Sequence, residues 1–147
     1  MIVRRATAAD IEATADVAAA SYGTAFAGIL EPEIIANYDH AFFVTRFAAS
    51  LARLRVAERD GTIIGFCLTT NGHIDMIFVD PRAVGTGAGH ALFADAEAHG
   101  AVSLECFAAN APARRFYERH AWRVSQSYWR PFGGHDRTFV RYEHVDG

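Results

Sequence analysis

The stretch from Ile74 to Phe93, IDMIFVDPRAVGTGAGHALF, constrains this chain more than any other. Its first part, Ile74 to Val79, is apolar and β-branched enough for a strand, and Pro81 cannot continue a ladder. Gly85, Gly87 and Gly89 then alternate with small residues ahead of a helical pattern. Glycine adopts left-handed turn conformations freely, and without a Cβ it lets a ligand come close to the main chain. The helix beyond presents unpaired N–H groups and the positive end of its dipole to that turn. Strand, glycine turn and helix together read as a site for a phosphorylated ligand, while on spacing alone they also suit a flexible turn.

The rest of the chain frames this unit. Ile2 to Ala6 reads as a short strand, and Thr7 or Asp10 caps a helix running to about Ser21. A second helical region spans Glu31 to Leu51, with Pro32 in its first turn, where a missing N–H does no harm. Leu54 to Glu58 and Ile63 to Leu68 flank Asp60-Gly61, which predicts a hairpin, and Asn71-Gly72 turns the chain into the strand above. Gly87 to His99 is helical and closed by Gly100. Val102 to Phe107 follows as a strand and Asn110 to His120 as a helix. Trp122 to Trp129 and Arg137 to Tyr142 form a last strand pair around Pro131-Phe-Gly-Gly134. No repeat, linker or low-complexity tract interrupts the 147 residues, so the expectation is one domain over 1–147.

Composition bounds what such a domain can do. A hydrophobic content of 51% is enough for a real core, and a net charge of -3 gives no basic field for nucleic acid. The start Met-Ile-Val-Arg-Arg lacks the order of a signal peptide, and no apolar run reaches membrane-spanning length. A cytoplasmic protein with neither nucleic acid nor membrane as partner is therefore expected. Cys67 and Cys106 lie in apolar runs without a second ligand at metal spacing, and no histidines pair as His-x-x-x-His, so no metal is expected. A dinucleotide fold would alternate βαβ from its start, and no Gly-Lys-Ser/Thr follows the glycines, which argues against Rossmann and Walker readings.

A second motif narrows the ligand. Asn110-Ala-Pro-Ala-Arg-Arg-Phe-Tyr-Glu-Arg-His-Ala-Trp122 resembles the Asn-x-x-Ala-x-x-Phe-Tyr-Glu-Lys-x-Gly-Phe segment of the GNAT superfamily of acetyl-CoA-dependent N-acetyltransferases. Val84-Gly-Thr-Gly-Ala-Gly89 is similar to that family's Arg/Gln-x-x-Gly-x-Gly/Ala pyrophosphate loop, with Val84 in the Arg/Gln slot. Arg82, two residues earlier, is a candidate for the lost charge. The resemblance covers most of the chain. It implies a mixed α/β (α+β type), three-layer acyl-CoA N-acyltransferase fold, with a central, mostly antiparallel seven-stranded sheet flanked by about four helices. It also implies acetyl transfer from acetyl-CoA to a primary amine by direct attack in a ternary complex. The acceptor would be a small molecule or a peptide, and a homodimer is an expectation at family level. The competing expectation is a catalytically degenerate acyl-CoA sensor, which the Val84 substitution favours.

Residue roles follow from the same resemblance. The main chain of Ile77, Phe78 and Val79 would hold the pantetheine arm as an added strand does, and Val84, Gly85, Thr86, Gly87, Ala88 and Gly89 would hold the diphosphate. Asn110 reads first as an N-cap and secondarily as a CoA contact. Tyr117 shares its helical stripe and would protonate the leaving thiolate. Strand alternation sets His73, Asp75, Ile77 and Val79 on one face and Ile74, Met76 and Phe78 on the other. His73 falls where many family members carry a Glu that deprotonates the amine, and histidine is the side chain that ordinarily titrates nearest neutrality. Tyr22, Phe26, Trp129, Phe132 and His135 are candidate acceptor-lining residues, with Glu33, Asp39, Glu105 and Asp136 as candidate attractors of a cationic amine.

Overall fold

The protein, represented by a computed structural model, is described over residues 1–145. Strands β1 (Ile2–Arg5), β2 (Leu54–Arg59), β3 (Thr62–Thr70), β4 (His73–Val79), β5 (Ser103–Phe107), β6 (Trp122–Phe132) and β7 (His135–His144) form one sheet in the order β1-β2-β3-β4-β5-β7-β6. Helices α1 (Ile11–Ala25), α2 (Pro32–Ile35) and α3 (His40–Ala49) precede β2, while α4 (Ala88–Ala98) and α5 (Ala111–Arg119) flank β5 in sequence. Every strand pairing is antiparallel except β4 with β5. This is the mixed, three-layer, seven-stranded architecture expected, with five helices rather than about four.

Each layer is held by a continuous apolar cluster. On one face, Ala15, Val17 and Ala18 of α1 and Phe43 and Phe47 of α3 meet Leu54, Val56, Phe66, Leu68 and Met76 of the sheet. On the other, Leu92, Phe93 and Ala96 of α4 and Tyr117 of α5 meet Ile64, Cys67, Ile74, Leu104, Trp122 and Tyr142. Burial on both faces explains why β3 reads as a near-continuous apolar run rather than an alternating one.

Local chemistry sets the element ends, and it corrects several expected boundaries. The helix expected from Glu31 to Leu51 is two helices, because Asp39 is extended and its Oδ1 accepts from Phe42 N–H at 2.9 Å, capping α3 afresh. Helix α1 runs one turn past Ser21. Strand β6 continues through Pro131 to Phe132, which an edge strand tolerates, and Gly133-Gly134, both at positive φ, make a two-residue turn into β7.

Strand β4 carries a β-bulge that simple alternation does not contain. Met76 lies opposite Leu68 and Ile74 opposite Thr69, so Asp75 has no opposite residue. The extra residue reverses the side-chain phase. Ile74 therefore packs with Leu104 in the α4/α5 layer, whereas Met76 and Phe78 pack toward α1 and α3. The expected grouping of Ile74 with Met76 and Phe78 on one face is overturned, since alternation holds only for an unbulged strand.

The first helical turn is pinned by an ion pair. Arg4 donates to both oxygens of Asp10 at 2.8 and 3.0 Å, and Asp10 also accepts from Thr7 N–H at 2.8 Å. The Arg4 hydrogen bond outweighs burial and holds the Asp10 carboxyl down at about 2. A carboxylate depressed in the folded state stabilises the fold above its unfolded pKa, and that stability disappears as pH falls from about 4 to about 2. Because Arg4 is one-third exposed, the share at stake is about 1–2 kcal/mol. Arg4 Nε also bonds Glu58 Oε2 at 2.8 Å, so the carboxyl is the group to change: urea unfolding of wild type and Asp10→Asn should differ by about that amount at pH 6 and approach each other toward pH 2.

Candidate active site

Strands β4 and β5 are paired only at His73 with Ser103 and Ile74 with Leu104, and beyond that point they part. A cavity of about 560 Å³ occupies the opening. Its walls include Ile74 to Val79 from β4, Leu104 to Phe107 from β5, and Asn110, Pro112, Ala113 and Tyr117 from the α5 side. Asp80 N–H, just after β4, bonds Ile64 O on the β3 side at 2.8 Å. Successive residues of a strand direct their N–H and C=O to opposite edges, so Ile77 and Val79 direct theirs to the edge that β5 has left. The opening thus has the hydrogen-bonding groups of a sheet edge and no strand on them. Ser21 Oγ, which donates to Val17 O at 2.6 Å, also lies 3.2 Å from Val79 O and ties α1 to this edge.

Tyr117 stands on the α4/α5 side of the opening. Its ring packs among Phe93, Phe116 and Tyr142 with centroids 5.6–5.8 Å away. The hydroxyl makes no hydrogen bond to a protein group among the described residues. Burial pushes the phenol well above its ordinary value, so it stays a neutral proton donor across the physiological range. Asn110 is the N-cap of α5, its Oδ1 accepting from Ala113 N–H at 3.3 Å, and it also lines the cavity. Cys106 lines it too, but burial raises its thiol to about 12, which leaves almost no thiolate at neutral pH and disfavours a covalent route.

The glycine loop begins where β4 ends, after a 3₁₀ turn at Pro81–Ala83, and lies outside the cavity. Gly85 and Gly87 have φ of +87° and +88°, and a Cβ on either would meet nothing within 4 Å. Dihedral angle, not space, is what calls for glycine here. Thr86 Oγ1 donates to Ala83 O at 2.7 Å, Gly87 is the N-cap of α4, Ala88 is buried, and Gly89 packs against Phe116. Val84 is 75% exposed, so its side chain adds no charge and no fixed contact to the loop. Arg82, the candidate for that charge, stands exposed beside the loop with its guanidinium on Asp80 at 2.8 and 3.1 Å. What the loop offers an anion is backbone N–H at the start of an eleven-residue helix.

The two strands part, the glycine loop follows the first of them, and the Tyr117 phenol stands beside the opening. A family profile for the acetyltransferase (GNAT) domain matches residues 27–133. The chain belongs to the GNAT acetyltransferase family. An uncharacterized N-acetyltransferase of Methanocaldococcus jannaschii is 28% identical over 134 residues, spanning 84% of this chain and 78% of its own. Among solved structures, a GCN5-related N-acetyltransferase of Rhodopseudomonas palustris is 25% identical with a TM-score of 0.76, covering 97% of this chain and 94% of that one. The PaiA N-acetyltransferase of Thermoplasma acidophilum, solved in complex with coenzyme A, has the same fold at a TM-score of 0.70 and 18% identity, covering 97% and 98%.

The GNAT domain does not bring every expected residue to the opening. His73 is half-buried, its Nδ1 lies 2.8 Å from Ser103 Oγ, and it stands behind the closed end of the wedge rather than on the cavity wall. Of the candidate acceptor-lining residues, Tyr22, Phe26 and Phe132 line the cavity, whereas Trp129 is 70% exposed and, like His135, lies off it. Of the four acidic candidates only Glu105 reaches the wall, and it is not free. Arg130 Nε lies 3.0 and 3.1 Å from its two oxygens, and the Tyr128 hydroxyl also donates to it. Burial opposes ionisation of Glu105, but those donors outweigh it and hold the carboxyl below its ordinary range. Arg130, Phe107 and Phe139 also line the site and were missed, because distant strand pairing rather than any local pattern carries them there.

No helix among the described residues is long and apolar enough to cross a membrane.

Proposed function

We propose that this GNAT protein transfers the acetyl group of acetyl-CoA to a primary amine by direct attack in a ternary complex. The observation that carries the reading is the β4–β5 opening with the Tyr117 hydroxyl unpaired at its side. The residues suit the co-substrate. Ile77 to Val79 offer the pantetheine arm a strand edge, and Gly85 to Gly89 offer the diphosphate a backbone cradle. A neighbour of the same fold, the PaiA N-acetyltransferase, was solved in complex with coenzyme A, which supports the same ligand here. When bound, acetyl-CoA supplies an activated acyl group on a good leaving thiolate.

The protein's part is to position, polarise and move protons. A main-chain N–H near Val79 stabilises the negative charge that develops on the thioester oxygen as the amine nitrogen attacks its carbon. The carbon–sulfur bond breaks, and Tyr117 gives its proton to the departing sulfur before regaining one from solvent. The amine must lose a proton too. His73 faces the same side of the sheet as Glu105, because it bonds Ser103 two residues before Glu105 on β5. About 20 Å of strand separates His73 from Val79, so the proton reaches it from the opening along a relay of waters, with Nε2 as base when Nδ1–H is donated to Ser103.

Coenzyme A release over an amine panel tests the activity, and a protein that binds acetyl-CoA tightly yet releases none from any amine is a sensor instead. For the base, His73→Ala should flatten the acidic limb of the kcat/KM profile while leaving acetyl-CoA affinity unchanged. An unaltered limb removes His73 from the mechanism.

A further inference from the structure

We propose that the acceptor is a small primary amine on an aromatic or apolar body with no second positive charge; the inference rests on the acetyltransferase reading above. Its first ground is the character of the wall. On the side of the sheet facing α1, the opening is lined by Tyr22, Phe26, Phe107, Phe132 and Phe139. These rings touch one another, with Phe107 edge-to-face against Phe26 at 5.2 Å and Phe132 at 5.4 Å. Such a lining favours an apolar or ring-bearing body.

The second ground is charge. A polyamine or other polycation needs carboxylates free to receive it. The charged groups on the wall are Asp75, Glu105 and Arg130. Glu105 is satisfied by Arg130 and Tyr128, and Asp75 accepts from Thr70 Oγ1 at 2.6 Å and Arg53 at 3.4 Å. Arg130 itself lies over the Phe139 ring at 3.9 Å, and its charge offsets that of Glu105. A second ammonium entering here would find its counter-ions already engaged.

The third ground is shape. An extended peptide needs a groove between the α1–α2 segment and the β6–β7 hairpin, and those two are tied together. Arg137 donates to Phe132 O at 3.0 Å, Ile29 O at 3.2 Å and Glu31 Oε2 at 2.7 Å. Ile34 of α2 lies so close beneath Gly133 that a Cβ there would meet it at 3.0 Å. The hairpin tip therefore rests on α2, and the acceptor side is bounded rather than open to a chain running through.

The test compares 2-phenylethylamine, spermidine and an unblocked alanine-led pentapeptide with saturating acetyl-CoA. Expected is a kcat/KM for 2-phenylethylamine at least tenfold above both others. Phe132→Ser should raise its KM about tenfold, leaving kcat within about twofold and acetyl-CoA affinity unchanged. Preference for spermidine or the peptide, or an unmoved KM in Phe132→Ser, overturns the inference while acetyl transfer stands. Calorimetry on the CoA-loaded protein separates the two readings. If 2-phenylethylamine binds but nothing is acetylated, the acetyltransferase reading fails and what stands is the cavity's preference for an apolar amine as ligand. If it does not bind or react, the inference fails.

Discussion

Replacing Gly85 and Gly87 together by alanine is expected to weaken acetyl-CoA binding on the order of thirtyfold, with the folded core intact. Both residues are exposed and have φ near +90°, and a Cβ at either position meets nothing within 4 Å. The alanines therefore cause no clash. They make the left-handed conformation unfavourable by about 1 kcal/mol each or more, and an exposed loop relieves that cost by leaving it. N–H groups at the start of α4 then turn away from the diphosphate. About 2 kcal/mol of lost pre-organisation corresponds to about thirtyfold in affinity. Loss should be this large because Val84 offers no charge and Arg82 rests on Asp80 rather than on the loop, which leaves the backbone as the main hold. Titration calorimetry measures it. Gly61→Ala, at φ +79° in the distant β2–β3 turn, is the matched control and should lower stability without altering affinity.

Much of this fold is legible in the amino-acid sequence. The Asp60-Gly61 hairpin, the strand ending at Val79 and the helix after the glycine loop are where local pattern places them, because turn chemistry and periodicity act over a few residues. The bulge at Asp75 is not legible that way. It is a relation between β3 and β4, and nothing in the composition of β4 announces that two of its residues face one. The same holds for the site. Asn110 and Tyr117 are legible because one helix fixes their shared stripe, and both line the cavity. Arg130 is not, since its role depends on Glu105 across β7, two strands away in the sheet. His73 shows the opposite failure. Counting back along the motif gives its place on β4 but not the contact with Ser103 that holds it behind the wedge.

Tyr117→Phe removes only the hydroxyl from a ring packed among Phe93, Phe116 and Tyr142. That oxygen has no protein partner among the described residues, so its loss leaves nothing unsatisfied in the core. A proton donor in the transition state is worth about a hundredfold or more in rate. Since burial keeps the phenol protonated well past neutrality, wild type should show no basic limb from this residue over the ordinary assay range. The decisive measurement is single-turnover coenzyme A release from the ternary complex, made beside the acetyl-CoA affinity of the same variant. Tyr117→Phe should slow release about a hundredfold with affinity changed by less than about twofold. An unchanged rate, or a loss of affinity as large as the loss of rate, would remove Tyr117 as the proton donor to the departing thiolate.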